Sequence, residues 1–446
     1  MTLKFGTDGV RGVAGVDLTP ELVVALGRAV VRALDATEPF LIARDTRRSG
    51  PMLEAALIAG ICAEGGSTAS LGVLPTPGLA GACVVGRAPG AMISASHNPY
   101  ADNGIKFFER GGRKVRDETE ARIEAELTQV LAGGSTAHEG SAVGDARTVT
   151  GARDDYVERL LGAVEPEMLA GLHVVIDCGN GAAFEVAPIV LERLGADVIV
   201  LNAAPDGINI NDRCGSTDTS GLVHAVREHG AHAGLAFDGD ADRVVAVDEH
   251  GGIVDGDHIL AIAALDLKAR GRLRGDAIAT TVMANLGLRR ALEAHDITVI
   301  ETAVGDRHVL AAMEEHDLSL GGEQSGHLIF RDYAVTGDGP LAGILLLEAM
   351  VRAEAPLSAL AGVMTKFPQL LRNVRVRDRA GLDGADAFWS EVRAVESDLG
   401  AEGRVLVRPS GTEPVVRVMV EASDAAVAES AVNRLTTALE LALGTP

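Results

Sequence analysis

Three times along this chain, a strand-like apolar run empties into a polar loop and continues through a helix, a second strand, another helix and a third strand. The first pass starts at Phe40–Ala43, runs into Arg44-Asp-Thr-Arg-Arg-Ser-Gly50 and enters an apolar helix through Ala63. The second leads from Val174–Ile176 through Asp177-Cys-Gly-Asn-Gly181 into a helix through Leu194. The third leads from Ala277–Ala279 through Thr280–Asn285 into a helix through His295. Second strands are expected at Ala69–Val73, Val198–Leu201 and Ile297–Ile300. Each third strand ends in a loop rich in reactive side chains: Ser94–Pro99, Asp238–Arg243 and Gly322–His327. Fourth strands, Ile105–Phe108, Val244–Val247 and Leu328–Phe330, follow too closely for a parallel crossover and should therefore be antiparallel. Alternating strands and helices of this kind predict mixed-sheet α/β domains. The echo has no fixed period, so solenoids and propellers are excluded.

Beyond Pro368 the pattern changes. Strands are expected at Val374–Val376, Arg404–Val407 and Val415–Val420, with amphipathic helices at Ala385–Leu399 and Asp424–Leu443. The fold class is thus three similar α/β domains in series plus a C-terminal α+β domain. The expected boundaries are 1–150 (serine loop), 151–252 (acidic loop), 253–367 (Gly-Glu-Gln-Ser loop) and 368–446. Aromatic residues make up only 3% of the chain against 47% apolar residues, so its cores must be built from Ala, Val, Leu and Ile. A net charge of −23 argues against nucleic acid as a partner. Cys62, Cys83, Cys178 and Cys214 show no paired spacing, which argues against disulfides and zinc and fits a reducing cytoplasm. The sequence has neither a signal-peptide pattern at its start nor an apolar run of about 18 residues, so no membrane association is expected.

The loops carry the chemistry. Gly90–Ile93 reads as a buried strand, and Pro99 forces the chain to turn just after Ser96. Open α/β sheets bind ligands beyond such strand ends. Taken alone, the turn reads sooner as one capped by its own Ser96 or Asn98 side chain. Asp238, Asp240 and Asp242 place carboxylates at alternate positions of one turn, and their repulsion calls for a cation. Oxygen donors without cysteine favour Mg²⁺. An EF-hand is excluded, although Glu249 falls at its twelfth position, because Arg243 stands where that loop needs glycine. In Arg408-Pro-Ser-Gly-Thr-Glu-Pro414, a guanidinium, two hydroxyls and the backbone opened by Gly411 could complete an anion-binding concavity within reach of Arg417, with an ordinary Pro-, Ser- and Gly-rich hairpin turn as the alternative. Glu323 and Ser325 suit sugar hydroxyls, with a polar loop around a satisfied His327 as the alternative. Lys106, one of five lysines, stands where it could neutralise or deprotonate a bound group, with a snorkelled surface lysine as the alternative. Arg11, in Phe5–Gly12, could face a phosphoryl group or lie in a surface turn.

Together the motifs FGTDGVRG (5–12), SASHNP (94–99), DGDADR (238–243), GEQSGH (322–327) and RPSGTEP (408–414) resemble the α-D-phosphohexomutase superfamily over the whole chain. The resemblance implies four domains around a central cleft. It also implies that Ser96 carries a phosphoryl group, and that Asp238, Asp240, Asp242 and an oxygen of that phosphoserine hold Mg²⁺. Glu323 and Ser325 would bind the sugar, and Arg408, Ser410, Gly411 and Thr412 its non-reacting phosphate. Acid–base work would fall around Lys106 and His327, with Arg11 steadying the transferred group. Gln324 and Thr302–Arg307 are similar to the glucosamine-specific branch. The implied reaction interconverts glucosamine 6-phosphate and glucosamine 1-phosphate through a 1,6-bisphosphate, for UDP-N-acetylglucosamine synthesis. The alternatives are a mannose- or glucose-specific mutase, a metal-dependent sugar phosphatase and a non-catalytic sensor. A homodimer is an open option for its assembly.

Overall fold

The computed structural model describes residues 9–134, 138–410 and 414–444. Packing divides the chain into two bodies. One comprises the residues up to Val282 together with Ile297–Gly362, and the other Met283–Asp296 together with the residues from Val363 onward.

The first body holds three sheets with one shared strand order. In the first, Asp102–Phe108, Gly90–Ile93, Phe40–Arg44 and Thr68–Val73 lie side by side in that order. In the second, the order is Val244–Asp248, Ala233–Phe237, His173–Asp177 and Asp197–Leu201. In the third, it is Leu328–Phe330, Leu320–Gly322, Ala277–Thr281 and Thr298–Thr302. In every case the last strand in sequence is antiparallel and the other three are parallel, as the short connections require. Because the second and third strands flank the first on opposite sides, a topological switch point opens at the carboxyl ends of the first and third strands. The loops after those strands therefore converge in each sheet.

Three edge strands extend these sheets beyond what the sequence pattern shows: Val10–Val13, Ala146–Thr148 and Ile253–Val254. Their brevity explains the difference. Ala146–Thr148 is wholly exposed, and Ile253–Val254 has only two residues, so neither shows a periodic apolar face. The scarcity of aromatics is matched by close backbone packing. The helices Pro20–Leu34 and Gly50–Ala63 cross where a Cβ on Gly60 would lie 2.1 Å from the Val24 carbonyl oxygen, so only glycine permits that approach.

The second body is a three-stranded antiparallel sheet, with Val415–Ala422 between Gln369–Arg375 and Gly403–Pro409. Helices Asp386–Leu399 and Ala425–Leu443 bury Phe388, Val392, Val395, Val432, Leu435 and Leu439 against it. The helix Leu286–Glu293 also belongs here, although both strands that flank it lie in the first body. Fully buried Glu421 explains this. It accepts from Leu286 N–H at 3.1 Å, Asn285 Nδ2 at 3.2 Å, Gln369 Nε2 at 2.9 Å and Arg404 Nε at 2.5 Å.

Candidate active site

Ser96 adopts a left-handed backbone (φ 53°), which is costly for any residue but glycine and persists only where the surroundings impose it. Here the surroundings are a buried ion pair. Arg47, fully buried, donates from Nη2 to the carbonyls of Ser96 (2.9 Å) and Asn98 (2.8 Å), and from Nη1 to those of Asp102 (3.0 Å) and Pro99. Asp45 accepts from Arg47 Nε at 2.8 Å and from Ser94 Oγ at 2.7 Å, and Ser94 Oγ in turn accepts the Ser96 N–H at 2.9 Å. Asn211, from the second sheet's loops, adds bonds to the Ser96 and Asn98 carbonyls at 2.9 and 3.1 Å. The Ser96 side chain does not cap its own turn. Its hydroxyl donates to Asp238 Oδ2 at 2.5 Å and lies 3.3 Å from His97 Nδ1.

Asp238, Asp240 and Asp242 are all buried, with carboxylate oxygens within 4.8 Å of one another. A left-handed Ala241 (φ 57°) bends the loop to bring them together. Burial and the charges of Asp242 and Asp240 push the Asp238 carboxyl well above its ordinary range. Burial acts the same way on Asp242, but Lys106 and His327 more than offset it and hold that group well below its ordinary value. Asp240 Oδ1 and Asp242 Oδ1 are buried without a hydrogen-bond partner among the described residues. Clustered oxygens, excess negative charge and orphaned lone pairs together fit a hard cation.

Lys106 is only 2% exposed, which removes the snorkelled alternative. Its Nζ lies 2.9 Å from Asp240 Oδ2 and 3.8 Å from Asp242 Oδ2, and Thr76 Oγ1 donates to the same Asp240 oxygen at 2.7 Å. His327, also buried, places Nδ1 3.6 Å from Asp242 Oδ2 and Nε2 3.6 Å from Asp306 Oδ2. Burial lowers the affinity of His327 for a second proton, and the two carboxylates raise it by more. Glu323 accepts the Gly305 N–H at 3.0 Å, so the loop Thr302–Arg307 fixes the orientation of that carboxylate. Ser325 Oγ stands 3.4 Å from the other Glu323 oxygen.

Arg11 belongs to the edge strand Val10–Val13, opposite Gly104, and not to a surface turn. Burial depresses His97 below its ordinary value, and the charges of Arg243 and Arg11 lower it further, which sets both guanidinium groups beside the serine loop.

In the second body, Arg408 and Arg417 are paired residues on adjacent strands. Burial and then the charge of Arg417 lower the Arg408 guanidinium from its usual value. Two like charges directly opposite are destabilising by themselves and favourable only around an anion. Ser410 is buried, and Arg379 donates to its carbonyl. Gly411 and Thr412 lie outside the described residues, as does the segment Phe5–Asp8.

Family models for the phosphoglucomutase/phosphomannomutase alpha/beta/alpha domains I, II and III match residues 2–132, 154–252 and 255–367, and the model for the C-terminal domain matches 371–438. The chain belongs to the phosphoglucomutase/phosphomannomutase family. Among the family's curated members, the phosphoglucosamine mutase of Symbiobacterium thermophilum is 51% identical over 432 residues, which covers 96% of both chains. That of Saccharopolyspora erythraea is 50% identical over 441 residues, with 98% of both covered. A phosphoglucomutase/phosphomannomutase family protein from Burkholderia thailandensis superposes with a TM-score of 0.83 at 26% identity, over 100% of both chains. Aspergillus fumigatus N-acetylphosphoglucosamine mutase, solved with GlcNAc-6P and magnesium, has the same fold (TM-score 0.72, 18% identity, 100% of this chain and 96% of that one). As a member of this family, the chain is a phosphohexomutase, an enzyme of the isomerase class, and its full-length relatives are phosphoglucosamine mutases.

Sequence reasoning missed Asp45, Arg47, Thr76, Asn211 and Asp306. A signal existed for the first two. The charged loop Arg44–Gly50 follows a first strand, at the position where the sheet places its switch point.

Proposed function

We propose that the chain interconverts glucosamine 6-phosphate and glucosamine 1-phosphate, with Ser96 as the phosphoryl carrier and glucosamine 1,6-bisphosphate as the intermediate. The observation that carries this reading is the Ser96 hydroxyl, held in strained backbone against Asp238 of a buried three-carboxylate loop. Asp238, Asp240, Asp242 and an oxygen of the phosphoserine would hold Mg²⁺, which when bound offsets the negative charge of a transferring phosphoryl group. Phosphoserine 96 donates to O1 of glucosamine 6-phosphate. The resulting bisphosphate reorients, and Ser96 takes back the 6-phosphoryl group.

The chain's own residues divide the remaining work. Arg47, Asp45 and Asn211 hold the Ser96 peptide so that its oxygen meets the phosphorus without reorganisation. Arg11 and Arg243 bring positive charge beside that loop. Lys106, beside Asp240, would exchange a proton with the reacting hydroxyl, and His327 flanks the same acidic loop. Glu323 and Ser325 bind the sugar, and Arg408, Arg417, Ser410, Gly411 and Thr412 bind the phosphate that stays in place. The enzyme would work in the cytoplasm on a small phosphosugar.

Peptide mapping by mass spectrometry tests the carrier. Phosphate on the Ser96 peptide, discharged by glucosamine 6-phosphate, supports it, whereas activity retained in Ser96→Ala refutes it. Preference for mannose or glucose 6-phosphate would overturn the substrate assignment. Stoichiometric release of inorganic phosphate would instead indicate a phosphatase.

A further inference from the structure

The turn Gly337–Gly339 lies directly behind His327. The Gly337 N–H donates to His327 Nε2 at 3.0 Å, and a Cβ on residue 337 would sit 2.5 Å from that same nitrogen. Only glycine lets the peptide reach the ring. A peptide N–H can only donate, so this bond requires a lone pair on Nε2 even though the nearby carboxylates favour a second ring proton, and the one proton of the ring resides on Nδ1, the nitrogen facing Asp242. The Asp242 and Asp306 carboxylates each lie 3.6 Å from the nearer ring nitrogen, Nδ1 and Nε2, beyond hydrogen-bond range, and Asp306 is engaged by Lys114 Nζ at 2.7 Å, so among the described residues the Gly337 N–H makes the one hydrogen bond to the ring.

The turn is anchored on both flanks. Gly339 N–H donates to the Ala241 carbonyl at 3.0 Å, within the acidic loop, and Asp338 N–H to the Leu328 carbonyl at 3.2 Å. Asp338 Oδ1 accepts both the Leu341 N–H at 2.9 Å, capping the helix Gly339–Ala353, and the hydroxyl of buried Tyr156 at 2.7 Å. Tyr156 stands on the helix Ala152–Leu161, which precedes the second sheet.

We propose that Gly337, Asp338 and Tyr156 are positioning residues that lock His327 with its proton on Nδ1, facing the acidic loop. A histidine so held cannot accept a proton at Nδ1 without first giving up the Gly337 bond. The proposal rests on the reading that places His327 in the catalytic machinery.

Nitrogen NMR of the full-length, Mg²⁺-supplemented enzyme carrying [¹⁵N]histidine tests it, with the His327 signals assigned by their loss in His327→Asn. The wild type should show Nδ1 protonated and Nε2 bare. Gly337→Ala should lose that pattern, with kcat falling at least about tenfold and KM within about twofold. Tyr156→Phe, which keeps the ring and removes one hydroxyl, should broaden the pattern and lower kcat by about two- to fivefold. His327→Asn, whose amide offers N–H near the Nδ1 position, should be at least about tenfold faster than His327→Ala. A protonated Nε2 in the wild type, an unaltered ring pattern in Gly337→Ala, or equally slow Asn and Ala variants would each overturn the proposal. An undiminished kcat in His327→Ala would instead sink the catalytic reading of His327, and the NMR result would still decide whether the lock exists.

Discussion

Replacing Arg47 with methionine should destabilise the first body by about 4 kcal/mol while leaving the second unaffected. Arg47 is fully buried, and so are Asp45, Ser94 and Ser96 around it. The variant leaves Asp45 without its partner and strips donors from the carbonyls of Ser96, Asn98, Pro99 and Asp102. Breaking a buried ion pair costs about 3–5 kcal/mol. The carbonyls add less, because Asn211 still donates to those of Ser96 and Asn98 and the Asp102 N–H to that of Pro99. Asp45 also has a way to limit the loss. Burial already pushes its carboxyl above the ordinary value despite Arg47, so in the variant it takes up a proton. The ion pair can therefore be separated from the carbonyl cradle by a cycle. Asp45→Asn/Arg47→Met removes the stranded charge and should be more stable than Arg47→Met alone by about 1–2 kcal/mol. Urea unfolding followed by far-UV circular dichroism gives the four stabilities, and the sole tryptophan, Trp389, reports on the second body alone. Additive single-variant costs, or an Arg47→Met penalty below about 1 kcal/mol, would refute the argument.

Other expectations follow from the same reasoning. Mg²⁺ added to chelator-treated enzyme should raise its Tm in a saturable way, and Asp240→Asn/Asp242→Asn should abolish that rise in a thermal scan. Burial raises the Asp338 carboxyl to about 6 from an unfolded value near 3.8, so the folded state binds its proton more tightly. The stability this group contributes is present below about pH 4 and lost as pH rises through about 6, some 3 kcal/mol in all. Asp338→Asn should therefore raise Tm at pH 8 and not at pH 4, and an equal gain at both would contradict the assignment. Inorganic phosphate should stabilise the second body by relieving the Arg408–Arg417 repulsion. Tryptophan-detected unfolding of Arg408→Ala should lose that response, with KM for the sugar phosphate raised about tenfold or more.

Much of this architecture is legible in the sequence. The short links after Pro99, Arg243 and His327 admit only an antiparallel fourth strand, and three such strands are present. The acidic loop was legible for the same reason, since three carboxylates at alternate positions of one turn have few uses without a cation. What the sequence hid is what depends on distance between loops far apart in the chain. Arg47 reads as one charge in a polar loop, and only the switch point of the sheet carries it under Ser96, 49 residues later. Gly337 reads as an ordinary turn glycine, because its meaning lies in a ring ten residues earlier. Arg11 was ambiguous because a four-residue edge strand containing glycine has no periodicity to show.

The placement of helix Leu286–Glu293 bears on how this protein can be taken apart. A chain cut after Gly362 would appear to release the first three family domains intact. It would instead leave Asn285 and the Leu286 amide without Glu421, and the helix without the sheet it folds against. The backbone crosses between the two bodies three times, at Val282/Met283, Asp296/Ile297 and Gly362/Val363. Proteolysis at any one of them should leave the fragments associated.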